Sequence, residues 1–260
     1  MACLDSPREK RIGGVAYVNE VEGDMRQAGL GTEACARVLM IIFWGINSNM
    51  QMTSFWMMIH ILSDTSLMPA IRYEISPTMM NLTKCEDDSS ESLRAGLVQL
   101  CPLLNSLFNE VLRFYNTGSS MRETVRSIRV GDKTVPAHTR IFLLQRHLFM
   151  DPGAFGEDAH VVNPYHFIQN KTIEKHKYYR LFGHGITQCS GKTIGRFEVL
   201  CFVAWAWWRY EFAVVSETQK AVDGTQGMAM LRIDLKKPSL GISKQIEGDD
   251  MVLEIRRRNV

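Results

Sequence analysis

The stretch from Ala36 to Leu62, ARVLMIIFWGINSNMQMTSFWMMIHIL, constrains the fold most. An apolar run of this length needs either a bilayer or a protein core around it. Asn47, Asn49, Gln51 and His60 interrupt it. Polar groups at membrane depth are costly, so a buried helix is expected rather than a membrane span. Thr32 can cap that helix at its start. Gly45 falls in its middle, where glycine costs about 1 kcal/mol against alanine. A weakened central turn marks either a group approaching the backbone or another helix packing on a small residue. A second apolar stretch, Phe197 to Val215, is broken by Arg209 and Glu211 and is also expected to be buried.

The remaining sequence surrounds these helices with shorter elements. Residues 1–23 are polar, lack the apolar core of a signal peptide and are expected to have little order. A short amphipathic helix is expected near Ala70–Ile75, and Cys85 to Ser92 reads as an exposed loop. A further helix covers about Leu93 to Tyr115, with Pro102 marking a break or restart. Alternation then replaces the helical period, and Val130 to Thr134 (VGDKT) reads as a hairpin turn between two short strands. Met150 to Phe167, punctuated by Pro, Gly and Asp, should hold little regular structure. A long aromatic helix is expected from about Lys192 to Phe212, followed by strand-like segments at 229–235 and 251–257. The fold class is mainly α with a small β component. A net charge of +2 argues against a nucleic-acid or polybasic membrane footprint. Six scattered cysteines without a CxxC pair suit reduced thiols better than a disulfide framework.

Phe182 to Thr193, FGHGITQCSGKT, carries the chemistry. It reads as a phosphate cradle through its Gly-Lys-Thr ending, or as a metal-holding loop through Cys189. A Walker A loop requires Gly, four residues, then Gly-Lys-Ser/Thr. The first glycine would be residue 186, which is Ile; Gly185 is one residue too far. The preceding EKHKYYRLF is a poor buried parallel strand, and no apolar strand ending in Asp is found to hold magnesium. Cys189 instead stands just before a helix, whose dipole and free N–H groups stabilise a thiolate. The surrounding glycines let the backbone pass close to a flat cofactor. A lone cysteine is more often a small buried hydrophobe.

The pattern F-G-x-G-x-x-x-C-x-G resembles the haem-binding loop of the cytochrome P450 family at every fixed position. NEVLRFY resembles the family's E-x-x-R helix through Glu110 and Arg113. HLFMDPGAFGEDAHVVNPYHF resembles its meander, and WGINSNMQMTSFW its long distal helix. CSGKTIGRFEV continues past the ligand with Glu198 at a commonly acidic position, and the segment from Arg232 to Arg258 looks like the C-terminal strands of fungal members. The resemblance runs from about residue 24 to the end. It implies the C-terminal portion of the cytochrome P450 fold over 24–260, after a poorly ordered segment 1–23.

The resemblance also implies roles. Cys189 would be the axial ligand to the iron of haem b, a thiolate that donates electron density to the metal. Phe182 would pack near the sulfur, and Gly183, Gly185 and Gly191 would allow the loop's turns. Glu110 and Arg113 would form a buried structural pair. His166 stands where the family often has a third, arginine partner; imidazole can donate to a carboxylate but is not always charged. His184 and Arg122 (or Arg126) would meet the haem propionates, although solvated surface is the plainer role for either arginine. On the distal helix, Gly45 precedes Asn49, which lies about where many members place a proton-relaying Thr. This resembles the branch with sterol 7-hydroxylases, prostacyclin synthase and many fungal enzymes. The implied activity is a monooxygenase acting on a lipophilic small molecule with dioxygen, its electrons coming from NADPH through NADPH–cytochrome P450 reductase. By resemblance it would work at the cytoplasmic face of the endoplasmic reticulum, or in the cytoplasm where the anchor is lacking. A typical member is much longer, so a truncated inactive remnant is one alternative. A haem-thiolate peroxide isomerase is the other.

Overall fold

The computed structural model describes residues 16–84, 90–183, 188–215, 230–237, 239 and 241–260. The chain divides into two units, Met1–Asn49 and Met50–Val260. The first contains α1 (Ala16–Gln27) and the start of α2 (Thr32–Ser63). Gly29, at φ +85°, ends α1 in a left-handed turn: Leu30 N–H donates to Met25 O (3.0 Å) and Gly29 N–H to Arg26 O (2.9 Å). Those bonds satisfy carbonyls that every helix end leaves free. Arg26 also pairs with Glu22 at 2.6 Å, four residues back. Residues 16 to 23 are therefore helical where little order was expected; residues 1–15 lie outside the described part.

The apolar run of α2 does not share one fate. Beyond Met50 it is core, with Trp56, Met57 and Ile61 fully buried. Before it, Met40, Ile41 and Phe43 are about two-thirds exposed, at 66%, 66% and 64%. Burial along the whole run is thus corrected for its first part, where Phe43 to Asn47 are exposed on every side of the helix. Gly45 does not interrupt the helix. A Cβ placed on it would meet nothing within 4 Å, so close packing on a small residue is not its reason. No helix among the described residues is long and apolar enough to cross a membrane.

The second unit packs α3 (Leu67–Lys84), α4 (Ser90–Gln99), α5 (Pro102–Tyr115) and α9 (Lys192–Arg209) with the end of α2. The expected short helix at 70–75 is really α3, eighteen residues long. Ile71, Ile75 and Met79 recur every four residues and are all fully buried, which carries the helix through Pro77. Pro69 sits in the first turn, where no intrahelical bond is lost. The break before Pro102 is as expected, and it is capped from a distance. The Glu74 carboxylate accepts from Leu103 N–H (2.7 Å) and Leu104 N–H (2.9 Å), two of the free donors of α5.

Among the described residues, three antiparallel pairs supply the small β component. The hairpin at Gly131 joins β2 (Ile128–Val130) to β3 (Lys133–Val135), with Gly131 at φ +61°. Around it β1 (Ser119–Glu123) pairs with β4 (Arg140–Leu144), a match the alternation did not reveal. The aromatic helix α9 stops at Arg209, not at Phe212. Tyr210–Val214 forms β5 and pairs with β6 (Leu253–Arg257). Arg258 Nη1 closes the helix by donating to the carbonyls of Trp207 (3.2 Å) and Trp208 (3.0 Å). The strand expected at 229–235 is reduced, among described residues, to a single bridge between Ile233 and Gln245. Between β4 and α9 the described residues form only short turns: α6 (Gln145–Phe149), α7 (Pro152–Phe155), α8 (His166–Gln169) and a 3-10 turn at Ile173–Lys175.

Candidate functional site: a buried clamp and a cysteine loop

On α5 the apolar residues Leu104, Leu107 and Val111 face the core, and the same burial takes in Glu110 and Arg113, each with a fully buried side chain. A buried ion pair is tolerated only when its remaining donors and acceptors are filled. Here they are. Arg113 Nε donates to Glu110 Oε2 (2.9 Å) and Nη2 to Glu110 Oε1 (2.6 Å). Nη1 donates to the carbonyls of Phe149 (2.6 Å) and Ala159 (2.8 Å), and Nη2 to that of Val161 (3.1 Å). Asn163 N–H donates to Glu110 Oε1 (3.1 Å), and His166 Nδ1 lies 3.3 Å from Glu110 Oε2. The irregular segment 149–163, which has almost no ladder of its own, is thus held by two side chains of one helix.

The charges follow from this geometry. Burial by itself would raise the Glu110 carboxyl. The hydrogen bonds from Arg113 and His166, the charge of Arg113 and the Asn163 N–H outweigh it and hold the carboxyl below its ordinary range. The hydrogen bond to Glu110 raises His166 above its ordinary value, against desolvation. The three residues that the sequence singled out as structural are therefore brought together.

The described ends of the loop before α9 are held differently. Gly183 is at φ +79°, the left-handed region that favours glycine. Cys189 N–H donates to Phe182 O at 2.8 Å, closing the loop at its base. Gly191 is the N-cap of α9, and a Cβ built on it would lie 3.8 Å from Cys189 Sγ, an ordinary contact. Phe182 is half-buried against the core, with Lys192 Nζ 5.6 Å from its ring centre. His184 and Gly185 lie outside the described residues. Cys189 is exposed, whereas Cys35 and Cys101 are buried. Burial pushes the thiols of Cys101 and Cys201 up to about 12.

Two residues that the sequence reading missed tie α9, the helix after this loop, to the clamp's helix. Arg196, on α9, donates through Nε (3.0 Å) and Nη2 (2.6 Å) to Asn105 Oδ1. Asn105 Nδ2 donates in turn to the carbonyls of Leu97 and Cys101, both at 2.7 Å. One amide thereby joins α4, α5 and α9. The available signal was an asparagine inside the apolar face of α5. Arg122 lies on β1, exposed, with Nη1 donating to Met121 O at 2.9 Å. Gly45 and Asn49 lie on α2 in the first unit, Gly45 exposed and Asn49 half-buried.

The family model for Cytochrome P450 matches residues 9–237. The chain belongs to the cytochrome P450 family. Among curated relatives it is 28% identical over 92 residues to "Cytochrome P450 85A1" of Brachypodium distachyon, covering 35% of this chain and 19% of that protein. It is 29% identical over 106 residues to "Cholesterol side-chain cleavage enzyme, mitochondrial" of Mus musculus, covering 40% of this chain and 20% of that one. It is 25% identical over 188 residues to "Cytochrome P450 11B1, mitochondrial" of Cavia porcellus, covering 72% of this chain and 35% of the relative. The chain thus spans only a fifth to a third of these P450s' own length. The family implies a haem-iron cofactor. The donor set fits it: among the described cysteines only Cys189 is exposed, a single soft ligand at a helix start, and iron takes one axial thiolate.

Proposed function

We propose that the chain is the haem-holding portion of a P450 monooxygenase acting on a lipophilic small molecule, in which the Cys189 thiolate would hold the iron of haem b. The exposed Cys189 in an F-G-x-G-x-x-x-C-x-G loop, within a chain that belongs to the family, carries this reading. Haem, when bound, supplies an iron that binds and activates dioxygen. The chain's own residues hold and shield. Phe182 would pack beside the sulfur and limit water there, Gly183 and Gly185 would let the loop pass close to a flat ring, and His184 and Arg122 would meet the propionates. Glu110, Arg113 and His166 hold segment 149–163. By resemblance Gly45 and Asn49 belong to the family's distal helix, where the Asn49 amide would position a water.

In this reading NADPH supplies electrons through NADPH–cytochrome P450 reductase at the endoplasmic reticulum. The named relatives are plant and mammalian. A place in fungal secondary metabolism rests on the likeness of the segment from Arg232 to Arg258 to fungal members. One residue favours a second reading, a haem-thiolate peroxide isomerase. The amide of Asn49 cannot act as an acid at neutral pH, and such an enzyme needs neither electrons nor a proton relay. Turnover of a peroxide without NADPH would select it.

The test is spectroscopic. The full chain, expressed with haem, reduced and exposed to carbon monoxide, should show a Soret band at the position set by a thiolate ligand. Cys189→Ser should abolish it. Absence of the band in the wild-type chain sinks the haem-thiolate reading for this chain, and its survival in Cys189→Ser removes Cys189 from the role.

A further inference from the structure

We infer that the free edge of β4 is the docking surface for a second copy of this chain: two β4 strands pair antiparallel about a two-fold axis at Phe142, in a sheet ordered β1–β4–β4–β1. Among the described residues β1 and β4 form a sheet of two strands, so each has one edge with no strand beside it. The phase of their ladder shows which groups face that edge. Thr124 N–H donates to Thr139 O (3.1 Å) and Gln145 N–H to Gly118 O (3.3 Å), so the even residues of β1 bond the odd residues of β4. Alternation along an antiparallel ladder then turns the N–H and C=O groups of Arg140, Phe142 and Leu144 away from β1. On the opposite edge it turns out those of Ser119, Met121 and Glu123.

The two edges differ. On β1, Arg122 Nη1 donates to Met121 O at 2.9 Å and covers the central carbonyl, with the charge of Glu123 beside it. Charges along an edge are an ordinary defence against strand pairing. β4 has a charge only at its first residue, Arg140, which stands 3.8 Å from Glu123 of its own sheet. Phe142, Leu143 and Leu144 follow, 60%, 48% and 52% exposed. The occupant follows from the strand itself. A two-fold pair must set outward groups opposite outward groups, and centring it on Phe142 does so. Phe142 meets Phe142 of the second copy, and Arg140 meets Leu144 at both ends, each pair exchanging both of its N–H···O bonds. Sliding the pair by one residue sets outward groups against inward ones and loses those bonds. Ile141 then lies opposite Leu143 on one face. On the other, the two Phe142 rings lie between the Met121 side chains, since Met121 is opposite Phe142 within each sheet. The two Arg140 residues end up at opposite ends, about 13 Å apart along the strands, where salt screens them. β4 is thus its own complement in hydrogen-bond phase, apolar pairing and charge.

The test follows the full chain, under reductant, by sedimentation velocity over a concentration series and by residue-resolved hydrogen exchange. A monomer–dimer equilibrium without larger species is expected. The Phe142 amide should exchange at least about tenfold more slowly where the dimer prevails than in dilute solution. Leu143, bonded within its own sheet, should be protected at both concentrations. Because the Phe142 N–H faces outward, Phe142→Pro costs β4 no bond to β1 and should weaken dimerisation about tenfold or more. Met121→Pro makes the same change on the β1 edge and should dimerise within about threefold of wild type. A chain that stays monomeric at every concentration, leaving the edge to another protein or a lipid surface, overturns the inference. So does association without added protection at Phe142, which places the contact elsewhere, as on the exposed apolar part of α2. Phe142→Pro associating like wild type overturns it as well, and so do open-ended oligomers that Met121→Pro stops, which join β1 of one copy to β4 of the next. The exchange measurement needs no variant and so does not depend on any variant's folding.

Discussion

Glu110 and Arg113 are wholly buried, and all five N–H donors of the guanidinium are used. Cys189 is exposed, and its bonds are made by its backbone to Phe182 and Lys192. The first region is finished within the chain; the second presents a side chain outward. Buried charge forces completeness, because each unfilled donor in a dry interior costs about 1–3 kcal/mol. An exposed thiol carries no such demand, so its surroundings are shaped by what it must reach. The two regions should therefore respond oppositely to substitution, in stability and in function.

Arg113→Ala gives the largest expected effect. It strands the Glu110 carboxylate and leaves the carbonyls of Phe149, Ala159 and Val161 without their donor. Breaking a buried pair from one side costs about 3–5 kcal/mol. Urea unfolding should register that loss as a lower midpoint. A loss below about 1 kcal/mol would mean that segment 149–163 is held by something other than the clamp.

Asn105→Ala comes next. It removes the donors to Leu97 and Cys101 and the acceptor for Arg196, at a cost of about 1–3 kcal/mol. If the amide couples α9 to α5, hydrogen exchange at Gly195, whose N–H donates to Gly191 O in the first turn of α9, should rise beyond the global change. Unchanged relative protection there would leave Asn105 with a purely local role.

These two predictions also mark what the sequence could show. The pair Glu110–Arg113 is legible from its i,i+3 spacing, and Cys189 from the fixed spacing of its loop, because both patterns are local. The mainly helical fold is legible from the long apolar runs. What the clamp grips is not, since the three carbonyls lie 36 to 48 residues away along the chain and any residue supplies a carbonyl. The Asn105–Arg196 bond spans 91 residues for the same reason. Helix ends failed where tertiary pairing decided them: β6 draws Tyr210–Val214 out of an otherwise helical aromatic run. The helix expected near Ala70–Ile75 is longer, Leu67–Lys84, because the burial of Ile71, Ile75 and Met79 holds it together past Pro77.

The third prediction uses the imidazole that completes the clamp. His166 is raised in the folded chain, so its contribution is full below its ordinary 6.5 and fades as pH rises through the folded value. Glu110 is lowered, so its contribution is full above its ordinary 4.5 and fades as pH falls through its folded value. Stability should be greatest between about 4.5 and 6.5 and should decline on the alkaline side as His166 loses the proton that its hydrogen bond to Glu110 favours. His166→Phe should flatten that alkaline decline. A decline that persists in the variant would place the titrating group elsewhere.

Cys189→Ser is the smallest change in stability and the sharpest contrast. The exposed side chain supports nothing that the structure shows, so urea midpoints should agree with wild type to within about 0.5 kcal/mol. In the same samples the thiolate Soret band should vanish completely. Alkylation at neutral pH adds an independent reading. Iodoacetamide should label Cys189 well before the buried Cys35 and Cys101, with Cys101 and Cys201 further protected by thiols raised to about 12. If Cys189→Ser lowered stability as much as Asn105→Ala, the loop would be a structural element in its own right. The division between a region that holds the chain together and one that offers a ligand would then fail at its second half.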